Sequence, residues 1–203
     1  MPKSTIDTLV IYAPITDAAT SAPLYPPERQ AEVDRCRNDR TRREKYLVWK
    51  LLECAVLERF NLDFANLKFT KSENGQWSCP EFCFSLAHTD GAVCVAVSSS
   101  PVGVDIEKIA PVKEGLYSRV LTDSEREELL RLPEGESALF FLEAWVKKES
   151  LFKRDGGECL APRSRDTLSS DAISERVTVG DSDYLIGLAA TNKNYKICYM
   201  EAI

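Results

Sequence analysis

Glu149 lies in the stretch Trp-Val-Lys-Lys-Glu-Ser-Leu-Phe-Lys, residues 145–153, a lone carboxylate among Lys147, Lys148 and Lys153. On a helix, Glu149 and Lys153 are four residues apart and share a face. The plainest reading is a surface ion pair, worth about 0.2–0.5 kcal/mol. The alternative is an acid or base working inside a cationic site that handles phosphate. Two other stretches carry similar potential. In Val-Gly-Val-Asp-Ile-Glu-Lys-Ile, residues 102–109, Asp105 and Glu107 are two apart on an expected strand, so both carboxylates leave the same face. Such a pair is either a solvated sheet edge or a site for a hard cation such as magnesium, which takes one or two carboxylates plus waters and phosphate oxygens. His88, the single histidine, ends an expected strand in Phe-Ser-Leu-Ala-His-Thr-Asp-Gly, residues 84–91. It is either a structural side chain or a donor to a phosphate oxygen.

The elements that must position these residues can be read from patterning. The first strand is expected in Thr8–Ile15. A basic run follows, with Arg35, Arg37, Arg40, Arg42, Arg43 and Lys45, and leads into a largely buried helix from Tyr46 to Phe60. Leu67–Thr70 reads as a short strand, and residues 72–77 as a turn centred on Asn74-Gly75. Phe82–His88 and Ala92–Ser99 read as two strands of a hairpin around Thr-Asp-Gly. In the strand 102–109, Val104 and Ile106 share one face, Asp105 and Glu107 the other. Either Thr122 or Asp123 caps a helix, a second long helix covers Glu136–Lys153, and residues 154–174 read as a polar, turn-rich loop. Strands are expected in 176–180, 184–191 and 194–202. Phe141, Trp145, Glu149 and Lys153 form a row of spacing four, as on a helix that runs from the core into a polar cleft. The order of elements is α+β, in two similar halves of residues 1–100 and 101–203, each with a long helix and an antiparallel sheet.

Bulk composition narrows the function classes. The 203 residues are 44% hydrophobic and 29% charged, ordinary for a globular chain. A formal charge of −6 argues against non-specific nucleic-acid binding, so any anionic ligand must be met by local positive charge. Seven cysteines (36, 54, 79, 83, 94, 159, 198) form no Cys-x-x-Cys pair, and one histidine makes a zinc site of usual spacing improbable. Reduced, buried thiols are the expectation. With neither a signal-peptide pattern nor an apolar run of spanning length, a soluble, cytoplasmic protein with no membrane partner is expected.

The three stretches, in this order and spacing, resemble the signature blocks of the 4′-phosphopantetheinyl transferases, in particular the larger type that activates surfactin synthetase. In that family the blocks read approximately Phe-Asn-Ile-Ser-His-Ser, Gly-(Ile/Val)-Asp-Ile-Glu and Trp-x-x-Lys-Glu-Ser-x-x-Lys. The resemblance implies a pseudo-dimer of two α+β halves with the active site between them. It implies transfer of the phosphopantetheine arm of coenzyme A to a serine of an acyl or peptidyl carrier protein, releasing adenosine 3′,5′-bisphosphate. Asp105, Glu107 and Glu149 would hold Mg2+. Glu149 would also be the general base, and Lys153 would contact the transferred phosphate. The coenzyme-binding set would be Arg35, Lys45, Ala87, His88, Thr89 and Lys148, with Arg35 on the 3′-phosphate; Arg42, Arg43 and Lys45 stay open for the adenosine end. One of Lys147 and Lys148 is expected to face solvent. Covalent duplication implies a monomer.

Two positions depart from the family pattern. Ala87 stands where a serine precedes the histidine, and Gly75-Gln76-Trp77 stands where Gly-Lys-Pro is common. Each removes a contact expected near the coenzyme, but the metal and base set is intact, so neither implies loss of activity. The alternative is a weakly active or inactive module that binds coenzyme A or a carrier protein, against which the intact Glu149 and Lys153 argue. Candidates for carrier docking are the basic residues near the first helix together with Lys147, Arg154, Arg163 and Arg165.

Overall fold

In a computed structural model the chain is described over residues 6–16, 22–73, 75–133, 135–156 and 165–201. Two sheets pack face to face, with one long helix on each outer surface. The first sheet has the order β4-β5-β1-β9, from strands Cys83–Thr89, Ala92–Ser98, Thr8–Pro14 and Tyr195–Tyr199. The second has the order β6-β8-β7, from Val102–Lys108, Ser182–Ala190 and Ile173–Val179. A two-stranded ribbon, β2 (Thr70–Lys71) with β3 (Trp77–Ser78), stands apart.

Side-chain alternation sorts the layers. On β5, Val93, Val95 and Val97 point toward helix α2 (Asp39–Phe60), whereas Cys94 and Ala96 point into the cluster shared by the two sheets. On β6, Val102, Val104 and Ile106 enter that same cluster, with Tyr184, Ile186 and Leu188 from β8. The opposite face of β6 and β8 meets helix α5 (Ser137–Arg154), so Asp105 and Glu107 are on the α5 side. The backbone N–H of Val104 donates to Ser85 Oγ at 3.0 Å and ties β6 to β4.

The basic run does not continue one helix. Helix α1 (Pro27–Asp34) ends before Cys36, and Asn38 then starts α2 by accepting the Thr41 N–H at 3.0 Å. Asn61, at φ 53°, ends α2 in the left-handed conformation that asparagine tolerates. After the short helix α3 (Tyr117–Val120), Thr122, rather than Asp123, caps α4 (Asp123–Leu129), and its own N–H donates to the Glu125 carboxylate. Two features depart from expectation. The short strand expected at Leu67–Thr70 narrows to β2. The last strand, β9, leaves the C-terminal half and pairs in parallel with β1, Thr8 opposite Tyr195, so the first sheet is mixed and crosses the expected boundary at residue 100.

Helix α5 lies unusually close to the second sheet because β6 and β8 present glycine to it. A Cβ at Gly103 would stand 1.8 Å from the Ser150 carbonyl oxygen, and one at Gly187 would stand 2.1 Å from that of Val146. A second constraint fixes the helix's other side. Lys148, expected among the coenzyme-binding residues, is fully buried and paired with Glu125 at 2.8 Å; it also donates to the Arg165 carbonyl. Glu125 further accepts the Thr167 N–H and hydroxyl at 2.8 and 2.7 Å. Lys148 is thus a clamp between α4, α5 and the segment after residue 165, with its donors committed away from ligand.

Gly103→Ala is expected to destabilise the protein by about 3 kcal/mol, since the helix must move or the backbone deform. Gly115→Ala, where an added Cβ meets nothing within 4 Å, should be neutral or slightly stabilising. Urea midpoints of the two variants check this. Lys148→Met should cost about 3–5 kcal/mol by leaving Glu125 charged, buried and without its ion pair, and Lys148→Met with Glu125→Leu should recover much of it.

Candidate functional site

A cleft of about 290 Å3 opens between α1, α2, the β2–β3 ribbon, β4 and the end of α5. Arg29, Glu32, Lys45, Gln76, Trp77, Ser85, His88 and Lys153 are among its lining residues. Strand β4 delivers His88, α2 delivers Lys45, and the last turn of α5 delivers Lys153. Lys153 also connects the cleft to the carboxylates. Its Nζ donates to Asp105 Oδ1 at 2.8 Å and to the Val104 carbonyl at 3.0 Å.

The three carboxylates belong to one electrostatic group. Asp105 is only 8% exposed, and its Oδ2 is buried without a hydrogen-bond partner. Glu107 accepts the Thr89 hydroxyl at 2.9 Å and the Trp145 indole N–H at 3.3 Å. Glu149 is half-buried one helical turn before Lys153. Burial pushes all three carboxyl pKa values up. For Glu149 the negative charges of Asp105 and Glu107 push further the same way, against the pull of Lys153. Like-charged carboxylates that disfavour one another's ionisation are relieved by a cation. Among the described residues, no three His, Cys, Asp or Glu side chains stand close enough to hold a metal ion as they are. The donor set still suits a hard divalent ion, because it offers carboxylate oxygens and one of them, Asp105 Oδ2, is buried and unbonded.

His88 faces opposing influences. Its Nδ1 lies 3.5 Å from Glu44, yet burial and the positive charges of Lys153, Lys45 and Arg29 hold its pKa below the ordinary histidine value. A neutral imidazole near neutral pH can donate one hydrogen bond without adding charge.

Several expected contributors are elsewhere. Arg35 is exposed beyond the end of α1, with its Nε on the Ala31 carbonyl, and does not line the cleft. Ala87 packs into the apolar cluster between the sheets, because β4 alternation turns it away from His88. Thr89 reaches Glu107 and so orients a carboxylate from the neighbouring sheet. The basic run is largely spent internally: Arg40 pairs with Glu44 and Asp90, and Arg42 pairs with Asp39, which leaves Lys45 as the run's residue in the cleft lining. Arg163 lies outside the described residues. Sequence reasoning missed Arg29, Glu32, Lys71 and Trp77. The Arg29/Glu32 spacing of three on a helix was a visible signal, but the ribbon that supplies Lys71 and Trp77 meets them only in the fold.

Comparison with known proteins gives a consistent result. The family model described as the 4′-phosphopantetheinyl transferase superfamily matches residues 101–197, the segment that contains β6, α5 and β8. The 4′-phosphopantetheinyl transferase ffp of Bacillus subtilis is 31% identical over 109 residues, 52% of this chain and 49% of that protein. The enzyme Sfp of Bacillus subtilis (strain 168) is 28% identical over the same number of residues, with the same shares. The enzyme psf-1 of Bacillus pumilus is 30% identical over 132 residues, 64% of this chain and 57% of that protein. The matches thus span about half the length of these relatives. Asp105, Glu107, Glu149 and Lys153 all lie inside the segment, residues 101–197, that matches the 4′-phosphopantetheinyl transferase superfamily.

Proposed function

We propose that this chain transfers the 4′-phosphopantetheine arm of coenzyme A to a serine hydroxyl of an acyl or peptidyl carrier protein. The observation that carries this is Lys153: one side chain in the cationic cleft that also binds Asp105, next to Glu107 and Glu149. A diphosphate lying in the cleft would be within reach of both lysines and His88. Its far phosphorus would then face the carboxylate group.

In the reaction, the serine oxygen forms a bond to the phosphorus of the phosphopantetheine side. The anhydride bond to the other phosphate breaks, and adenosine 3′,5′-bisphosphate leaves with the electron pair. The serine proton passes to Glu149, directly or through water. A half-buried carboxylate one helical turn from Lys153, with a cation at the neighbouring carboxylates, would stay ionised and could accept that proton. Lys153 neutralises charge that develops on the phosphoryl oxygens. Thr89 and Trp145 hold Glu107 from both of its oxygens. Asp105, Glu107 and Glu149 would hold Mg2+, which supplies charge neutralisation at the phosphates when bound.

The two halves, residues 1–100 and 101–203, would be the two parts of a pseudo-dimer that acts as a monomer, each with one long helix outside and one sheet inside. The arrangement supports a covalent duplication, with β9 returning to the first sheet as a link between the parts. Coenzyme A and the carrier are the partners, with nucleic acid and membrane outside the reading, and the cytoplasm is the compartment.

Mass spectrometry of an apo carrier protein incubated with this protein, coenzyme A and Mg2+ should show the added phosphopantetheine mass, and chelation should abolish it. Glu149→Gln should lower the rate by about 10²–10⁴-fold, the usual worth of a positioned general base. No added mass on any of several carrier types, with coenzyme A still bound, would favour a binding module instead.

A further inference from the structure

The cleft contains a carboxylate that the proposed reaction does not use. Glu32, on α1, accepts Arg29 Nη1 at 3.1 Å, Lys45 Nζ at 3.3 Å, Lys71 Nζ at 2.8 Å and Trp77 Nε1 at 3.1 Å. Four donors from four elements, three of them cationic, converge on one acidic side chain. Burial alone would raise its pKa, yet Lys71, Trp77, Arg29 and Lys45 bring it down to about 2. Glu32 is therefore ionised near neutral pH.

Such a nest of donors is what recognises a phosphate group: point charges from lysine, a planar guanidinium fork and an indole N–H. Arg29 is positioned without Glu32. It is 4% exposed, its Nη2 donates to the Lys45 carbonyl at 2.7 Å, and its guanidinium lies 4.8 Å from the centroid of the Trp49 ring. Its Nε is buried and lacks a hydrogen-bond partner. Lys71 reaches over Trp77, 5.5 Å from the ring centroid, from a half-exposed stem. Gln76, in the turn between them, carries no charge, so Lys71 is the cation that the ribbon brings to Glu32.

We propose that Glu32 is an internal stand-in for a ligand phosphate: it occupies the Arg29–Lys45–Lys71–Trp77 nest in the ligand-free protein and must yield when a phosphate-bearing ligand binds there. Without a ligand, three cations in one wall would repel one another, and the carboxylate relieves that strain. A phosphate with more than one negative charge displaces a single carboxylate, whose side chain is 20% exposed and borders solvent. The inference deepens the coenzyme A reading and rests on it for the identity of the natural ligand, but not for the anion chemistry of the nest.

Calorimetric titration with inorganic pyrophosphate and, separately, with adenosine 3′,5′-bisphosphate tests it in wild type, Glu32→Gln and Lys71→Met. Glu32→Gln should bind at least one of the two about fivefold or more tightly, the effect of removing one unit charge a few ångströms away in a water-rich cleft. Lys71→Met should bind that same probe more weakly. Tightening for pyrophosphate alone assigns the nest to the diphosphate, and tightening for the bisphosphate alone assigns it to a phosphomonoester on the ribose. Unchanged or weaker binding of both probes by Glu32→Gln would overturn the inference and make Glu32 an organiser of the cations. Pyrophosphate carries neither adenosine nor pantetheine. If Glu32→Gln tightens pyrophosphate while no phosphopantetheine reaches any carrier, the transfer reading fails and the stand-in survives.

Discussion

The backbone contact between α5 and the glycines of the second sheet sets the geometry on which the site depends. Gly103 and Gly187 let the Ser150 and Val146 carbonyls come down onto the sheet where any side chain would hold them off. That approach seats Glu149 and Lys153 beside Asp105. A helix standing off the sheet by the usual side-chain layer would take the Lys153 ammonium out of reach of both Asp105 and the Val104 carbonyl. The buried Lys148–Glu125 pair acts from the other side and prevents the helix from rolling. Two neighbouring lysines thus have opposite environments: Lys148 locks α5 in place, and Lys153 works in the cleft.

The interface between the sheets has a comparable role on a larger scale. Alternation along β4, β5 and β6 divides each strand between two jobs. Cys94, Ala96, Val104 and Ile106 fill the space between the sheets, and their neighbours serve helix packing or the site. Thr89 crosses this boundary to hold Glu107, and Ser85 crosses it to bind the Val104 N–H. The cationic wall comes largely from α1, α2 and the β2–β3 ribbon, and the carboxylates come from β6 and α5.

Local chemistry was legible in the sequence where it followed strand or helix period. The two-residue spacing of Asp105 and Glu107 and the four-residue row through Trp145, Glu149 and Lys153 fold as those periods dictate. The capping chemistry of Thr122 was readable for the same reason, being confined to one turn. What could not be read depends on long-range meeting. Nothing local distinguishes Lys148 from Lys147; their fates are set by Glu125, more than twenty residues away. The basic run looked like a ligand-facing patch, but Glu44, Asp39 and Asp90 consume Arg40 and Arg42. The parallel return of β9 to β1 also had no local sign, since a strand pattern does not name its partner.

We propose that the cationic cleft and the α5–β6 carboxylates form a single site. A crystal structure of the protein soaked with coenzyme A and Mn2+, with data collected at the manganese absorption edge, tests it most directly. A single site predicts an anomalous peak beside Asp105, and coenzyme density in the cleft lined by Lys45, His88 and Lys153. Manganese bound away from Asp105, or coenzyme A bound outside that cleft, would contradict it.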